Sequence, residues 1–223
     1  NVAATLNISD SEFFNNRAKG GGVIYAWEGH ATVFLSDVSF DENHANWFGG
    51  AVSLNKATLV DHSSTYNMNT AGEKGGALHL FHSVHISFFD SSFTSNTAGY
   101  QGGGIYIEGS GTSLSSLDMS SVTLQSNKQT GAGTYAEYGG GGLYLRKEVT
   151  ANIRECTFIE NEATEGSTGD KHGHQIMTHK SSYGTPSIAI VNTNFTDLAG
   201  SHPFYGYDDA NGADTYVTPN GCA

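Results

Sequence analysis

The sequence contains little positive charge. Against 22 Asp and Glu residues there are only 10 Lys and Arg, which gives the 223-residue chain a formal net charge of −12. Proteins that bind nucleic acid or anionic membranes neutralise phosphates with clustered basic side chains, and no such cluster occurs here. We therefore expect no nucleic-acid partner and no anionic membrane partner.

Proline, cysteine and long apolar runs are also scarce. No apolar run approaches the ~18 residues of a membrane-spanning helix. The 2 cysteines cannot form a disulfide framework. Cys156 falls at a small, mostly inward position of the repeat described below, so packing in the core and a bridge to Cys222 are the two alternatives. No signal peptide is present and Asn1 lies inside a repeat, so we expect a processed product or a fragment of a longer protein.

Glycine is abundant, and one pattern recurs along the whole chain. Val84 to Ile107 is one complete copy, with two alternating apolar runs, an aromatic-x-x-Asn corner and a glycine triplet at Gly102. A repeat of about 27 residues with three short strand-like pieces has the size of one coil of a parallel β-solenoid. About seven copies predict an all-β parallel β-helix over residues 1–198 and a C-terminal tail or cap over 199–223.

The corner aromatic sets the register of the predicted core. The residues seven and five positions before it are mostly aliphatic in every copy. Because alternate residues of a strand share a face, these side chains should stack inside the tube. Asp61 interrupts one column, and we expect a local shift that brings Val60 or His62 inward. The corner residues are Phe13, Phe40, Tyr66, Phe93, Leu124, Phe158 and Phe195.

An asparagine follows most corner residues three positions later. Asparagine tolerates left-handed backbone angles at a bend, and its side-chain amide can bond to the same group in the next coil. We predict a structural amide ladder here rather than a ligand site. Its members are Asn16, Asn43, Asn69, Asn96, Asn127 and Asn161.

Glycine turns follow the asparagines and precede a short alternating strand. They suit tight corners with positive φ, whereas a phosphate-binding loop would need a following helix, of which there is no sign. In the first copy, alternation places Val23 and Tyr25 inside and Ile24 outside. The outward position in later copies holds Ser53, His79, Tyr106 and Tyr144.

The outward aromatic side chains suggest a surface for recognition. We predict that Tyr106, Tyr144 and His79 are exposed there, with Tyr100, Tyr135 and Tyr138 in longer loops extending the patch. The alternative is that these rings only form cross-strand pairs and protect sheet edges. Corner spacing grows from 27 residues between Phe13 and Phe40 to 37 between Phe158 and Phe195. Loops at 108–113, 128–139, 162–175 and 198–210 should therefore leave the tube, where function usually lies.

Two weak metal patterns lie near the C-terminus. His172, His174 and His179 could supply imidazoles to a transition metal, although a solvated loop is the favoured explanation. Asp209, Asn211 and Asp214 alternate around a glycine as in calcium loops, but the downstream bidentate Glu is missing. We expect no cofactor, and calcium is the alternative. Asn7 and Asn194 match the N-glycosylation pattern, and the Asn, Ser, Thr and Gly-rich composition favours an extracellular or cell-surface protein.

Two short motifs recur jointly and in phase. The first is FFNN (13–16), FDEN (40–43), FTSN (93–96) and FIEN (158–161); the second is GGAV (49–52) and GGAL (75–78), with GGGV, GGGI and GGGL as near matches. This pattern resembles the repeats of the polymorphic outer-membrane proteins, bacterial autotransporter adhesins. Similar repeats occur in surface and filament proteins of microbial eukaryotes. The resemblance implies a right-handed parallel β-helix, adhesion through surfaces around 40–54, 66–80 and 93–107, and no catalytic residues.

We therefore expect a non-enzymatic extracellular protein, either an adhesin or a structural subunit of a surface assembly or filament. Its partners would be other chains bound head-to-tail through the ends of the β-helix, or glycans or a host surface. The alternative is a polysaccharide lyase or glycoside hydrolase, which needs paired carboxylates or a basic residue over calcium. Asp37 and Asp90 share an offset of three residues before the corner but lie two coils apart. Asp61 and Asp118 lie five and six residues before theirs, so no stacked carboxylate pair is predicted.

Overall fold

The computed structural model of the chain describes residues 4–27, 30–82, 85–110, 115–131, 138–164, 174–180, 184–196 and 204–208. All regular elements in these ranges are β-strands. Within them, no helix is present that could cross a membrane. Most of the predicted functional loops fall at 111–114, 132–137, 165–173 and 197–203, outside the described residues.

The strands are short, as expected from the frequent Gly, Asn and Ser bends. The first thirteen are β1 (Thr5–Phe14), β2 (Arg17–Gly20), β3 (Ile24–Ala26), β4 (Thr32–Asp41), β5 (His44–Phe48), β6 (Val52–Asn55), β7 (Thr58–His62), β8 (Thr65–Asn67), β9 (Thr70–Ala71), β10 (Leu78–Phe81), β11 (His85–Phe89), β12 (Ser92–Thr94) and β13 (Thr97–Ala98). The others are β14 (Ile105–Glu108), β15 (Ser115–Ser120), β16 (Thr123–Gln125), β17 (Lys128–Gln129), β18 (Leu143–Arg146), β19 (Val149–Arg154), β20 (Thr157–Ile159), β21 (Glu162–Ala163), β22 (Ile176–Lys180), β23 (Ser187–Val191), β24 (Asn194–Thr196) and β25 (Phe204–Asp208).

These strands form three parallel sheets, of twelve, seven and six strands among the described residues. Each strand pairs with the equivalent strand of the next coil, as in β6–β10–β14–β18–β22 of the seven-stranded sheet. This repeated parallel pairing confirms the predicted parallel β-helix. β25 pairs in parallel with β22, so the seven-stranded sheet continues to Asp208, within the segment predicted as a C-terminal tail or cap. The domain boundary at residue 198 stays a prediction.

The core lies inside the three sheets, and its aliphatic columns have the predicted register. Val33 pairs with Leu59, and Ile86 with Leu117, and all four side chains are buried. The corner aromatics stack from coil to coil, with ring centroids 4.9 Å apart for Phe40 and Tyr66 and 4.5 Å for Tyr66 and Phe93. Cys156 is a free, buried thiol of this core; Cys222 lies outside the described residues.

The expected shift at Asp61 is wrong. Asp61 pairs in register with Leu35 on one side and Phe88 on the other, and its side chain is fully buried. The phenol of Tyr66 donates a hydrogen bond to Asp61 Oδ2 at 2.8 Å. Register shared with both neighbouring strands outweighs the cost of burying one carboxyl group, because a slip of one residue would expose the whole apolar face.

The first coil also differs from the prediction. Gly21, with φ of 57°, is equivalent to Gly49, with φ of 59°. The register between β2 and β5 shifts between Ala18 and Gly20, so the turn lies one residue later than motif alignment suggests. Ile24 therefore points inward beside Val52, and Tyr25 points outward beside Ser53.

Candidate recognition surface

The asparagines form a continuous amide ladder at the corner that follows the aromatic column. The Nδ2 group of each donates to Oδ1 of the next, at 2.9, 3.0, 3.0, 2.9 and 2.8 Å from Asn16 through to Asn161. Each Oδ1 in the chain of bonds also accepts a backbone N–H, as Asn96 Oδ1 does from Asn69 N at 2.9 Å. The ladder therefore satisfies buried polar groups and holds the corner together.

Two details of this corner were not foreseen. Left-handed backbone angles belong to the residue before each ladder asparagine, such as Met68 with φ of 52° and Ser95 with φ of 56°. Gln175 also ends the ladder, because its Oε1 accepts from Asn161 Nδ2 at 2.5 Å while its Nε2 donates to the Thr196 carbonyl at 2.9 Å. Gln175 lies in a divergent glycine turn and not three residues after a corner aromatic, so the repeat spacing did not predict its place in the ladder.

The outer face of the seven-stranded sheet carries tyrosine, histidine and charged side chains close together. Register places them in two columns that run along the helix axis. The tyrosine column contains Tyr25, Ser53, His79, Tyr106, Tyr144 and Met177. The glutamate column contains Asn55, Phe81, Glu108, Arg146 and His179.

The predicted exposure of Tyr106, Tyr144 and His79 is wrong. Tyr106 and Tyr144 are 0% exposed, and His79 is 4% exposed. The rings stack on one another, with centroids 5.3 Å apart for His79 and Tyr106 and 5.4 Å for Tyr106 and Tyr144. Side chains from the neighbouring corner also reach over them: Lys74 Nζ lies 4.8 Å from the Tyr106 ring centroid, and Gln101 Nε2 donates to the Tyr144 hydroxyl at 3.4 Å. An outward direction from the tube thus does not imply contact with water.

Glu108 is the charged centre of this face. Its carboxylate accepts from the Tyr106 hydroxyl and pairs with Lys147, and Arg146 Nη1 lies 3.7 Å from Oε1. Burial alone would raise the pKa of Glu108. The hydrogen bonds from Lys147 and Tyr106, together with the charge of Arg146, outweigh burial and hold that pKa below its usual value. Glu108 therefore remains a paired carboxylate.

The aromatic neighbours remain uncharged. Burial, with the positive charge of Lys74, lowers the pKa of His79 to about 3. Burial and the nearby Glu108 charge raise the pKa of Tyr106 well above its usual value. His79 Nδ1 instead shares a 3.2 Å hydrogen bond with Ser53 Oγ. Neither ring exchanges a proton near neutral pH, where general acid–base catalysis operates best.

The predicted metal ligands do not assemble in the described residues. His174 Nδ1 accepts the backbone N–H of Ala163 at 3.3 Å, whereas His179 Nδ1 shares a 2.8 Å hydrogen bond with the Tyr144 hydroxyl. No group of three potential ligands is found in the part of the chain that the structure describes. His172 and the candidate calcium residues Asp209, Asn211 and Asp214 lie outside it.

The candidate glycosylation residues lie at opposite ends of the twelve-stranded sheet. Asn7 is in β1 and Asn194 is in β24, and both side chains are exposed. The structure thus places both where a glycan could be attached, and their modification remains a prediction.

Exposed aromatic rings do occur, and of the predicted tyrosines that the structure describes, Tyr100 is exposed, at 41%. Tyr25 is 54% and Trp27 46% exposed, and their rings stack at 6.0 Å. Trp47, 49% exposed, lies on the six-stranded sheet with Lys19 Nζ 5.7 Å from its ring centroid. Tyr100 and Tyr138 stack at 5.1 Å; Tyr135 lies outside the described residues. In the described part of the chain, Tyr25 and Trp27 thus form an exposed aromatic pair beside the first coil.

In-register coils, an amide ladder and glycine corners define a repeat protein of the parallel β-helix class. Residues 10–26 and 90–108 match the Chlamydia polymorphic membrane protein repeat, which confirms the resemblance read from the motifs. The matched segments contain FFNN and FTSN with the glycine turns that follow them. The match is to the repeat unit of these membrane proteins and covers these two segments of the chain. Comparison with curated proteins and with solved structures finds no match.

Proposed function

We propose that this chain is a non-enzymatic extracellular protein whose β-helix serves as an adhesive or structural rod at a cell surface. The observation that carries the proposal is the in-phase recurrence of FxxN corners and glycine turns, two copies of which match the polymorphic membrane protein repeat. A solenoid of this kind presents a long, fixed surface because each coil is held by its neighbours. Such a scaffold suits display and attachment.

The chemistry of the outer face supports a non-enzymatic role. Its carboxylate, Glu108, is held by Tyr106, Lys147 and Arg146, and its buried rings stay neutral. The exposed Asp37 and Asp90 occupy left-handed corner positions, with φ of 55° at each, where Asp is favoured for its backbone geometry. Asp118 accepts a hydrogen bond from Asn152 Nδ2 at 2.8 Å. Each of these carboxylates thus has a structural explanation.

The open edge of β1 supports assembly through the end of the helix. Among the described strands β1 pairs only with β4. Leu6 is 40% exposed, whereas its in-register neighbour Val33 is 1% exposed. An additional strand on this edge would cover Leu6 and satisfy the free backbone groups. We propose that a further coil pairs with β1 head-to-tail. If a second copy of the chain supplies that coil, sedimentation at high concentration should show self-association.

Immunogold labelling of the native source cells tests the proposed location and role. An antibody raised against the folded chain should label intact cells and reveal whether the protein lies in fibres or as separate rods. An antibody against a cytoplasmic protein is the control for membrane integrity. Labelling that requires permeabilised cells would contradict the proposal. Release of reducing ends or unsaturated products from a polysaccharide panel would favour the enzyme alternative instead.

A further inference from the structure

The first three coils build an aromatic cover over a small polar position. Ala26 pairs with Leu54, so the next residue, Trp27, lies beside Asn55, which in turn pairs with Phe81. The strands that flank a central strand are separated by about 9.5 Å. The ring centroids of Trp27 and Phe81 are nevertheless 6.2 Å apart, with planes inclined by 18°. The two rings therefore lean toward each other over Asn55.

The amide beneath this cover is incompletely satisfied. Asn55 is 2% exposed, and its Oδ1 has no hydrogen-bond partner. A buried acceptor without a donor destabilises the folded protein relative to a bonded one. Such a group in a folded protein calls for a specific reason. A hydroxyl donor from a ligand would satisfy it.

Tyr25, Trp27 and Phe81 form a series of stacked aromatic rings beside and above Asn55. Tyr25 and Trp27 are about half exposed, and their planes are within 8° of parallel. The stack continues inward through Phe81 to His79, whose centroids lie 5.9 Å apart. Rigid exposed rings with few polar groups are characteristic of ligand sites. Because Asn55 is 2% exposed, a ligand reaches its Oδ1 when the Trp27 side chain turns about its own χ angles away from Phe81, and this rotation also uncovers a face of each ring.

We propose that Tyr25, Trp27 and Phe81 form a binding platform for a neutral glycan, with Asn55 Oδ1 as the acceptor for a sugar hydroxyl. The C–H face of a pyranose ring packs on an aromatic ring, and its hydroxyls supply the donor that Asn55 lacks. The net charge of −12 disfavours polyanionic glycans. This inference rests on the proposed surface function and names the class of ligand that the surface takes.

Tryptophan indole signals allow a direct test, because the chain has 2 tryptophans. The folded protein is titrated with cellotetraose, chitotetraose, laminaritetraose and mannotetraose while the two indole N–H signals are followed by NMR. At least one of these probes should shift the Trp27 signal saturably and leave the Trp47 signal in place. If none shifts it at millimolar concentration, the inference is overturned. Equal binding of tetragalacturonate would overturn the preference for neutral sugars.

Two variants separate a binding role from a structural one. Trp27→Ala should weaken binding about tenfold, the loss expected for one ring contact. Trp47→Ala is the matched control, since Trp47 is equally exposed on a different sheet, and it should bind like the wild type. Asn55→Ala should weaken binding while raising the stability of the free protein, because it removes the unsatisfied acceptor. Equal losses in both tryptophan variants, or unchanged binding by Asn55→Ala, would contradict the platform and leave the immunogold result unaffected.

Discussion

Tyr66 donates its phenol proton to Asp61 Oδ2 at 2.8 Å, inside a column that is otherwise mostly apolar. Asp61 Oδ1 has no hydrogen-bond partner. Burial raises the pKa of Asp61 to about 6, although hydroxyls of Ser64, Tyr66 and Ser91 and the nearby His62 act in the opposite direction. A titratable carboxyl group thus lies in the core of the third coil.

We predict that this carboxyl group makes the β-helix more stable in mild acid. Its pKa is higher in the folded than in the unfolded chain, so the folded state retains the proton at a pH where the unfolded state has lost it. The contribution is complete below the unfolded value of 3.8 and is lost as the pH rises through about 6. The shift corresponds to about 3 kcal/mol. Urea unfolding of wild type and Asp61→Asn, from about pH 4 to pH 7, measures it.

As the pH rises, the free energy of unfolding of the wild type should fall relative to that of Asp61→Asn. Asp90→Asn is the matched control, because Asp90 is exposed and its substitution removes the same charge outside the core. A stability difference between wild type and Asp61→Asn that stays constant over this range would contradict the prediction.

The amide ladder should contribute more stability in the middle than at its first member. Asn96 donates to Asn127 Oδ1 and the Tyr66 carbonyl and accepts from Asn69, so Asn96→Ala leaves several buried groups unbonded. We expect a loss of about 2–4 kcal/mol in the free energy of unfolding, measured with urea. Asn16→Ala should cost clearly less, because Asn16 is exposed and bonds to one neighbouring asparagine. Equal losses of unfolding free energy in Asn96→Ala and Asn16→Ala would contradict a ladder in which each inner asparagine is bonded on both sides.

Glycine at the second turn position should be irreplaceable, and at the third position partly replaceable. A Cβ at Gly103 would lie 2.3 Å from the Gly141 carbonyl oxygen and 2.5 Å from the backbone of Lys128. Gly103→Ala should therefore prevent soluble folding or lower the unfolding temperature severely. Gly104→Ala should be milder, because Ala77 already occupies the equivalent position of the preceding coil, where its N–H donates to the Gly104 carbonyl. Circular dichroism melts compare the two; equal effects would contradict the account.

One exposed residue offers a stabilising substitution. Met68 has φ of 52° and is 48% exposed, so its side chain adds strain at the corner and little packing. Asparagine tolerates this conformation, and Met68→Asn should raise the unfolding free energy by about 0.5–1 kcal/mol. Met68→Leu retains the strain and should give no gain. A gain of the same size in Met68→Leu would point to a cause other than backbone geometry.

The periodic part of the fold was predictable, because strict recurrence of Leu59, Ile86 and Leu117 leaves one face for the core. The amide ladder followed from the same periodicity. Exposure was not predictable in the tyrosine column, because it depends on which corner side chains, such as Lys74 and Gln101, reach over the rings.

The register of the first coil could not be predicted either. Three consecutive glycines allow two alignments, and the irregularity beside Gly20 selects the later one. That choice turns Tyr25 outward and creates the exposed aromatic surface, so the candidate glycan platform became visible only in the structure. At Asp61 the sequence predicted a shift that does not occur, because a polar residue in an apolar column does not by itself shift a strand.

Disulfide trapping between coils tests the in-register stack most directly. Ser92 pairs with Thr123, and Thr123 pairs with Thr157. Adjacent strands lie about 4.8 Å apart, within disulfide reach, whereas positions two coils apart lie at roughly twice that distance. With Cys156 and Cys222 replaced by serine, Ser92→Cys/Thr123→Cys should close under mild oxidation and Ser92→Cys/Thr157→Cys should not. Closure of the second pair as readily as the first, or of neither, would contradict the stacked β-helix.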